Sequence, residues 1–234
     1  MPINLIWANG NPIDLAFYQR VEDASGIGWY SINAAAGYWT YASALTINVP
    51  AGALNFYQKG DKIRYKQGGG WKYGNIVAVA DALLTVTGGS DYSVANASIT
   101  DIYISRAENP FGWPGWFNYA PTTGGVTTPA VGNPLFRIQG NECIVSIDYI
   151  TGTSSATTFT FTLPVAPAIN YTSLKLIGVK DNGAYAIVTG AQQGHLEIAA
   201  APGLTVDMYK SFYRGVWTNT GGKGAYIGVF SYRI

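Results

Sequence analysis

Strict alternation of polar and apolar residues runs through the stretch Thr157-Thr158-Phe159-Thr160-Phe161-Thr162-Leu163. Alternation with a period of two places every second side chain on the same face of a β-strand. Phe159, Phe161 and Leu163 therefore share one face, which we expect to be buried. The same alternation of polar and apolar residues recurs along most of the chain, and sustained helical periodicity is nearly absent. The pattern therefore predicts an all-β protein.

Short strands separated by turn residues are predicted on both sides of this stretch. Upstream, strands are predicted at residues 45–49, 62–66, 71–80, 83–87 and 99–105. Downstream, Gly140-Asn141 and Asp181-Asn182-Gly183 mark two hairpin turns, and the strand that closes the chain over 224–234 is expected inside a sheet. Strands spaced by roughly 8–12 residues are typical of small antiparallel barrels and sandwiches.

A change of composition between residues 107 and 134 divides the chain. Proline and glycine are frequent there, and the run 121–134 is predicted to be a Pro/Gly/Thr linker. The interpretation is a β-rich N-terminal domain over 1–120, built as a small antiparallel β-barrel or sandwich. A C-terminal domain over 135–234 is predicted to be a jelly-roll β-sandwich.

The charge content excludes several classes of partner. Only 12% of residues are charged, against a usual ~25%, and the net charge is +1. We therefore expect no nucleic acid partner. No window approaches the roughly 18 apolar residues of a spanning helix, so no membrane insertion is expected. The first residues lack the features of a secretory signal, which predicts synthesis in a cytoplasm.

The residue inventory argues against an enzyme, a metal site or a cofactor. His195 is the only histidine and is expected to be exposed or on an edge strand, and Cys143, the only cysteine, is expected in the core. No Gly-x-Ser-x-Gly motif is present, so a catalytic triad has no recognisable nucleophile. The acidic residues Glu22, Asp23 and Glu108 leave a polysaccharide depolymerase as a less favoured alternative.

Two aromatic groups are candidate binding or assembly sites. The first has five rings within nine residues and includes Trp113, Trp116 and Tyr119. Its rings could stack on sugar faces, although burial at an interdomain or intersubunit contact is favoured. The second includes Tyr213, Arg214 and Trp217, where a receptor-glycan surface and packing in a core or trimer are equally favoured.

Several segments resemble recurring segments of bacteriophage and prophage virion proteins. They include Tyr57-Gln58-Lys59-Gly60-Asp61-Lys62-Ile63-Arg64, Thr46-Ile47-Asn48-Val49-Pro50-Ala51-Gly52 within 39–52, and the stretches 77–89 and 152–165. The closing residues, from Trp217-Thr218-Asn219-Thr220-Gly221-Gly222 to Ile234, are similar to the last strands of jelly-roll head domains on phage fibres.

This resemblance implies a structural protein of the virion surface, made in the host cytoplasm and commonly a homotrimer. The N-terminal domain would attach to other virion proteins, and the C-terminal domain would face a host-cell glycan. No long repetitive shaft is present, which favours a short tail fibre, spike or tail-tip protein. A capsid decoration or head-fibre protein is the alternative.

Overall fold

The computed structural model describes residues 27–32, 37–185, 193–211 and 213–234. These residues are all-β, as the alternation predicts, with one short 3-10 turn at Ala53–Asn55. The chain forms two compact units. The first comprises Met1–Gly88 and Tyr92–Gly115, and the second comprises Gly89–Asp91 and Trp116–Ile234.

The described part of the first unit is a single antiparallel sheet. Its strands are β1 (Tyr30–Ser31), β2 (Thr40–Ser43), β3 (Thr46–Asn48), β4 (Lys62–Gln67), β5 (Gly70–Ala80), β6 (Leu83–Thr87) and β7 (Ile99–Ser105). They lie in the order β1-β7-β4-β5-β6-β3-β2. The sheet curls into a half-barrel, because its concave face closes over one hydrophobic core. The five strands predicted for this region are confirmed.

A tryptophan lies at the centre of this core. The Trp39 ring meets Tyr57 and Tyr65 edge-on at 6.0 and 6.2 Å, and its Nε1 donates to the Tyr57 hydroxyl. Edge-to-face contacts of this kind stabilise a core beyond the area they bury. Ile47, Ile76 and Leu84 pack around the rings from β3, β5 and β6.

The second unit is built on two long neighbouring strands. In chain order its strands are β8 (Phe117–Asn118), β9 (Thr123–Gly124), β10 (Val126–Gly132), β11 (Leu135–Gln139), β12 (Glu142–Ser154), β13 (Thr160–Thr162), β14 (Tyr171–Asp181), β15 (Ala184–Tyr185), β16 (Gly194–Ile198), β17 (Thr205–Tyr209) and β18 (Gly222–Arg233). The order is β8-β11-β12-β18-β14-β16-β17-β13-β9, with β10 also on β12 and β15 on β14. The closing strand, β18, lies between β12 and β14, as predicted.

Local signals in this unit are confirmed where strands and turns are close in sequence. Gly140-Asn141 joins β11 to β12, and Asn182-Gly183 joins β14 to β15. Phe159, Phe161 and Leu163 are all buried. Cys143 is buried in β12, in agreement with its predicted role in the core.

The segment 121–134 differs from the predicted linker, because it contains two strands. β9 pairs with β13, and β10 pairs with β12. The threonines and glycines of this segment show no alternation of polar and apolar residues. The segment forms strands because β13 and β12 provide the backbone hydrogen bonds that an isolated linker would make to water. The boundary between the compact units accordingly lies at Gly115 and Trp116, not at residue 120.

Candidate ligand-binding face

Three cations project from one side of β4 in the first unit. The strand alternates, so Ile63 and Tyr65 are buried in the core. Lys62, Arg64 and Lys66 therefore point to the opposite side of the sheet. The five residues from Lys62 to Lys66 thus suffice to place positive charges on one side of the strand at a spacing of two residues.

The neighbouring strands supply aromatic rings beside these cations. Arg64 pairs in register with Tyr73 of β5 and Tyr103 of β7. Lys66 pairs with Trp71 of β5. Side chains that are opposite each other in adjacent strands lie on the same face within contact distance. The register of the sheet therefore interleaves cations and rings.

The guanidinium of Arg64 lies among three rings. Its Cζ is 4.4 Å from the ring centre of Tyr103, 4.7 Å from that of Trp29 and 4.9 Å from that of Trp71. The Nζ of Lys66 lies 5.1 Å from the same Trp71 ring. All four distances are within the range of cation–π attraction. We call this cluster the β4 face: it consists of Lys62, Arg64, Lys66, Trp29, Trp71, Tyr73, Tyr103 and Trp113.

The β4 face contains buried rings that fix its side chains and one partly exposed ring that a ligand can contact. Trp29 is fully buried, and its Nε1 donates to the carbonyl of Phe111. Trp113 packs against Trp29 and Tyr73 at 6.0 and 6.2 Å. Trp71, in contrast, is 37% exposed. A fixed and partly exposed ring of this kind loses little conformational freedom when a ligand stacks on it.

The cations of the β4 face differ in burial and in their contacts. Lys66 makes a surface ion pair with Asp101 at 3.2 Å. Lys62 lies over the Trp113 ring at 5.7 Å. Burial lowers the pKa of Lys62, although the charges of Glu108 and Asp61 act in the opposite direction. Arg64 and Lys66 are therefore the cations that a ligand at Trp71 would meet.

The first aromatic group predicted from the sequence is divided between the two units. Trp113 belongs to the β4 face. Trp116 belongs to the second unit, where the guanidinium of Arg137 lies 4.9 Å from its ring centre. Tyr119 is buried there, edge-on to Phe136 at 5.9 Å. Only Trp113 thus contributes to the candidate ligand-binding face.

The second group is mostly structural. Trp217 is buried, its Nε1 donates to the carbonyl of Met208, and its ring meets Phe159 edge-on at 5.1 Å. Arg214 donates from Nε and Nη2 to the two carboxylate oxygens of buried Glu197. Tyr213 is 79% exposed. Of the three residues, Trp217 is therefore inaccessible to a ligand and the guanidinium of Arg214 is committed to an ion pair.

The expectation that His195 is exposed or on an edge strand is wrong. β16 lies between β14 and β17, and His195 is 2% exposed. Its ring stacks on Tyr209, with 5.1 Å between ring centres, and its Nε2 lies 3.8 Å from Glu197. One polar residue in an alternating stretch does not reveal that its strand is paired on both edges or that its ring stacks on a neighbour.

Two carboxylates lie next to each other at this point of the second unit. Asp207 pairs in register with Glu197. Burial raises the pKa of Asp207, the charge of Glu197 raises it further, and Arg214 opposes both. Paired carboxylates are the requirement of glycoside hydrolysis. Both oxygens of Glu197 already accept hydrogen bonds from Arg214, however, so this arrangement favours a structural ion pair.

Other candidate chemistry is limited in the part of the chain that the structure describes. Glu108 is exposed, and Glu22 and Asp23 lie outside the described residues. No cluster of three His, Cys, Asp or Glu side chains among the described residues has the arrangement of a metal site. The described residues contain no helix with the length and apolar character needed to cross a bilayer.

A cavity of about 630 Å³ lies beside the hydrophobic core of the first unit. Its walls include Tyr30, Tyr38, Phe56 and Arg106. Arg106 is held by the buried carboxylate of Asp61, at 3.0 Å from Nε to Oδ1. The cavity therefore combines aromatic, aliphatic and small side chains with one cation, whereas the β4 face places two cations beside the Trp71 ring.

Most residues of the β4 face could not be predicted from the sequence alone. The alternation of Lys62, Arg64 and Lys66 was a usable signal for three cations on one side of a strand. The rings that meet them come from distant segments, which only strand pairing brings together. No protein-family model matches the chain, and no curated protein or solved structure shows significant similarity to it.

Proposed function

We propose that this chain is a structural protein of the bacteriophage virion surface. We propose further that it binds host-cell glycans without a chemical reaction, through the β4 face of the first unit instead of through the C-terminal domain expected from the sequence resemblance. The observation that carries the proposal is the 37% exposed Trp71 ring, fixed on a sheet with two cations within 5.1 Å. Aromatic rings of this kind stack on the apolar faces of sugars. The segments that resemble phage virion proteins support the location on the particle.

The favoured location is the tail, as a short fibre, spike or tail-tip protein, because a ligand-binding face suits adhesion. The alternative is a capsid decoration or head-fibre protein. A gold-labelled antibody against the chain should mark the tail tips of phage particles whose genome encodes it. Label spread over the capsid faces would favour the alternative, and particles without label would contradict the virion proposal.

We further propose that the chain associates as a homotrimer with other virion proteins around it. Only 12% of the residues are charged, and a neutral polar surface costs little to desolvate against another subunit. Sedimentation equilibrium should report three times the chain mass of 25.0 kDa. A mass of 25.0 kDa at all concentrations in solution would contradict it.

The glycan proposal is tested with an array of purified bacterial surface polysaccharides. Replacement of Trp71 by Ala should weaken binding at least about tenfold, since exposed aromatic anchors dominate recognition surfaces. Trp71→Phe, which keeps a ring, should retain most of the binding. Unchanged melting temperatures would establish that both variants are folded.

Tyr213→Ala is the matched control, because Tyr213 is a highly exposed ring of the second unit. It should bind the array as the wild-type chain does. If Tyr213→Ala lost binding while Trp71→Ala kept it, the β4 face would not be the site. Release of reducing ends from a bound polysaccharide would favour the depolymerase alternative.

A further inference from the structure

The β4 face combines one accessible ring with two cations. Arg64 and Lys66 are two residues apart on β4, and both lie within 5.1 Å of the ring centre of Trp71. The Lys66 ammonium makes an ion pair with Asp101. A ligand that stacks on Trp71 therefore lies beside two cationic side chains.

The ion pair between Lys66 and Asp101 is easily exchanged. The two side chains are 41% and 48% exposed. Exposed ion pairs contribute little to stability because water and salt screen them. An anionic ligand group can therefore take the place of Asp101 beside the Lys66 ammonium at small cost.

Arg64 is already oriented before a ligand binds. Its guanidinium is held by Tyr103, Trp29 and Trp71, all within 4.9 Å. Arginine binds carboxylates through two parallel hydrogen bonds in the plane of its guanidinium. Because ring contacts have fixed the side chain, little conformational freedom is lost on binding.

We infer that the β4 face binds acidic polysaccharides, with a sugar ring stacked on Trp71 and its carboxylate paired with Arg64 and Lys66. This inference rests on the proposed function and names its ligand class. A neutral glycan has no anionic group to pair with the two cations. A single-stranded nucleic acid is less favoured, because such partners engage a groove with many positive charges, whereas Lys62 is buried near Glu108 and Asp61.

The test compares each acidic polysaccharide on the array with the same polymer after chemical reduction of its carboxylates to alcohols. We expect the acidic form to bind at least about tenfold more tightly than the reduced form, because hydrogen bonds to a charged carboxylate are stronger than those to an alcohol. Binding of the acidic form should weaken as salt is added, because salt screens the charges. Polygalacturonate and its reduced form, a galactan, are included as a defined pair. The oligonucleotide dT20 is the nucleic acid probe.

Lys66→Gln is the main variant, because Lys66 is partly exposed and its loss should not affect folding. It should weaken binding to acidic polymers about three- to tenfold and leave binding to reduced polymers unchanged. Arg64→Gln should have a larger effect. Lys175 is a partly exposed lysine of the second unit, and its replacement Lys175→Gln is the control, which should bind as the wild-type chain does.

Each remaining outcome overturns the inference in a distinguishable way. Equal binding of acidic and reduced polymers, still lost in Trp71→Ala, would overturn the inference and leave the proposed function standing. An unchanged Lys66→Gln variant would overturn the role of the cations. Tighter binding of dT20 than of every polysaccharide would favour a nucleic acid. Absence of binding to any polysaccharide in either form would overturn the proposed function as well.

Discussion

Lys223 is a charged side chain that the second unit buries almost completely. It lies in β18, is 2% exposed, and its Nζ donates to the carbonyls of Gly125, Ala156 and Thr158. The rings of Phe159 and Trp217 lie 5.7 and 6.0 Å from the same nitrogen. One ammonium therefore provides hydrogen bonds to three backbone carbonyls, which stabilises the two chain segments that contain Gly125 and residues 156–158.

Replacement of Lys223 by Met should destabilise the protein, because three buried carbonyls lose their donor. We expect the free energy of unfolding, measured by urea titration, to fall by about 2–4 kcal/mol. Lys175→Met is the control: its Nζ donates to a single carbonyl, that of Val229, at an exposed position. It should cost about 1 kcal/mol or less. Equal losses in the two variants would contradict the buried role of Lys223.

At the scale of elements, one glycine allows β9 and β10 to form in the segment that the sequence predicts to be a linker. Gly125 lies between the two strands with φ at +78°, in the left-handed region. A Cβ there would lie 2.0 Å from the carbonyl oxygen of Thr158. The chain can therefore turn from β13 toward β12 at this residue because it has no side chain.

Gly125→Ala should destabilise the second unit through both backbone strain and the contact with Thr158. Gly183→Ala is a matched control, since Gly183 has φ at +79° and no atom within 4 Å of an added Cβ. Strain alone should cost the control about 1–2 kcal/mol. Gly125→Ala should lose about 1–3 kcal/mol more by urea titration. A loss no larger than that of the control would contradict the close approach.

On the scale of the whole molecule, buried groups with raised pKa values set the limit of stability at high pH. Burial raises the pKa of the Tyr65, Tyr119 and Tyr232 hydroxyls, and it raises the pKa of Cys143 to about 12. The unfolded chain releases these protons near the ordinary values, 9.0 for the thiol and 10.0 for tyrosine. Each group therefore contributes stability below its unfolded pKa, and this contribution is lost as the pH rises above it.

Unfolding free energies measured by urea titration should consequently fall above pH 9 to 10. Tyr119→Phe should reduce this fall by up to about 1.4 kcal/mol per pH unit, since one ionisable group is removed. It should cost little at pH 7, because the Tyr119 hydroxyl is buried with no hydrogen-bond partner among the described residues. A large fall in the unfolding free energy of Tyr119→Phe at neutral pH would contradict the absence of a hydrogen bond from this hydroxyl to the described residues.

Tyr232→Phe is the comparison for this experiment. Its hydroxyl donates to the carbonyl of Val165 at 2.7 Å, so its removal leaves a buried acceptor. We expect a loss of about 1–3 kcal/mol already at neutral pH, measured in the same titration. The two variants thus separate the cost of a lost hydrogen bond from the effect of ionisation.

The sequence by itself determined the all-β class, because alternation of polar and apolar residues with a period of two is a property of residues that are adjacent in the chain. The buried face of Phe159, Phe161 and Leu163 and the turns at Gly140-Asn141 and Asn182-Gly183 follow from such local patterns. The alternation within β4 is a local signal of the same kind, because it places three cations on one side of the strand.

Only the tertiary structure decided what those residues meet. Strand pairing brings Trp71 and Tyr103 to Arg64 and gives β9 and β10 their partners. Packing between distant segments buries His195 and Trp217. These outcomes depend on contacts between segments far apart in the chain. Such contacts depend on register and on the packing of the whole unit, which no window of neighbouring residues contains.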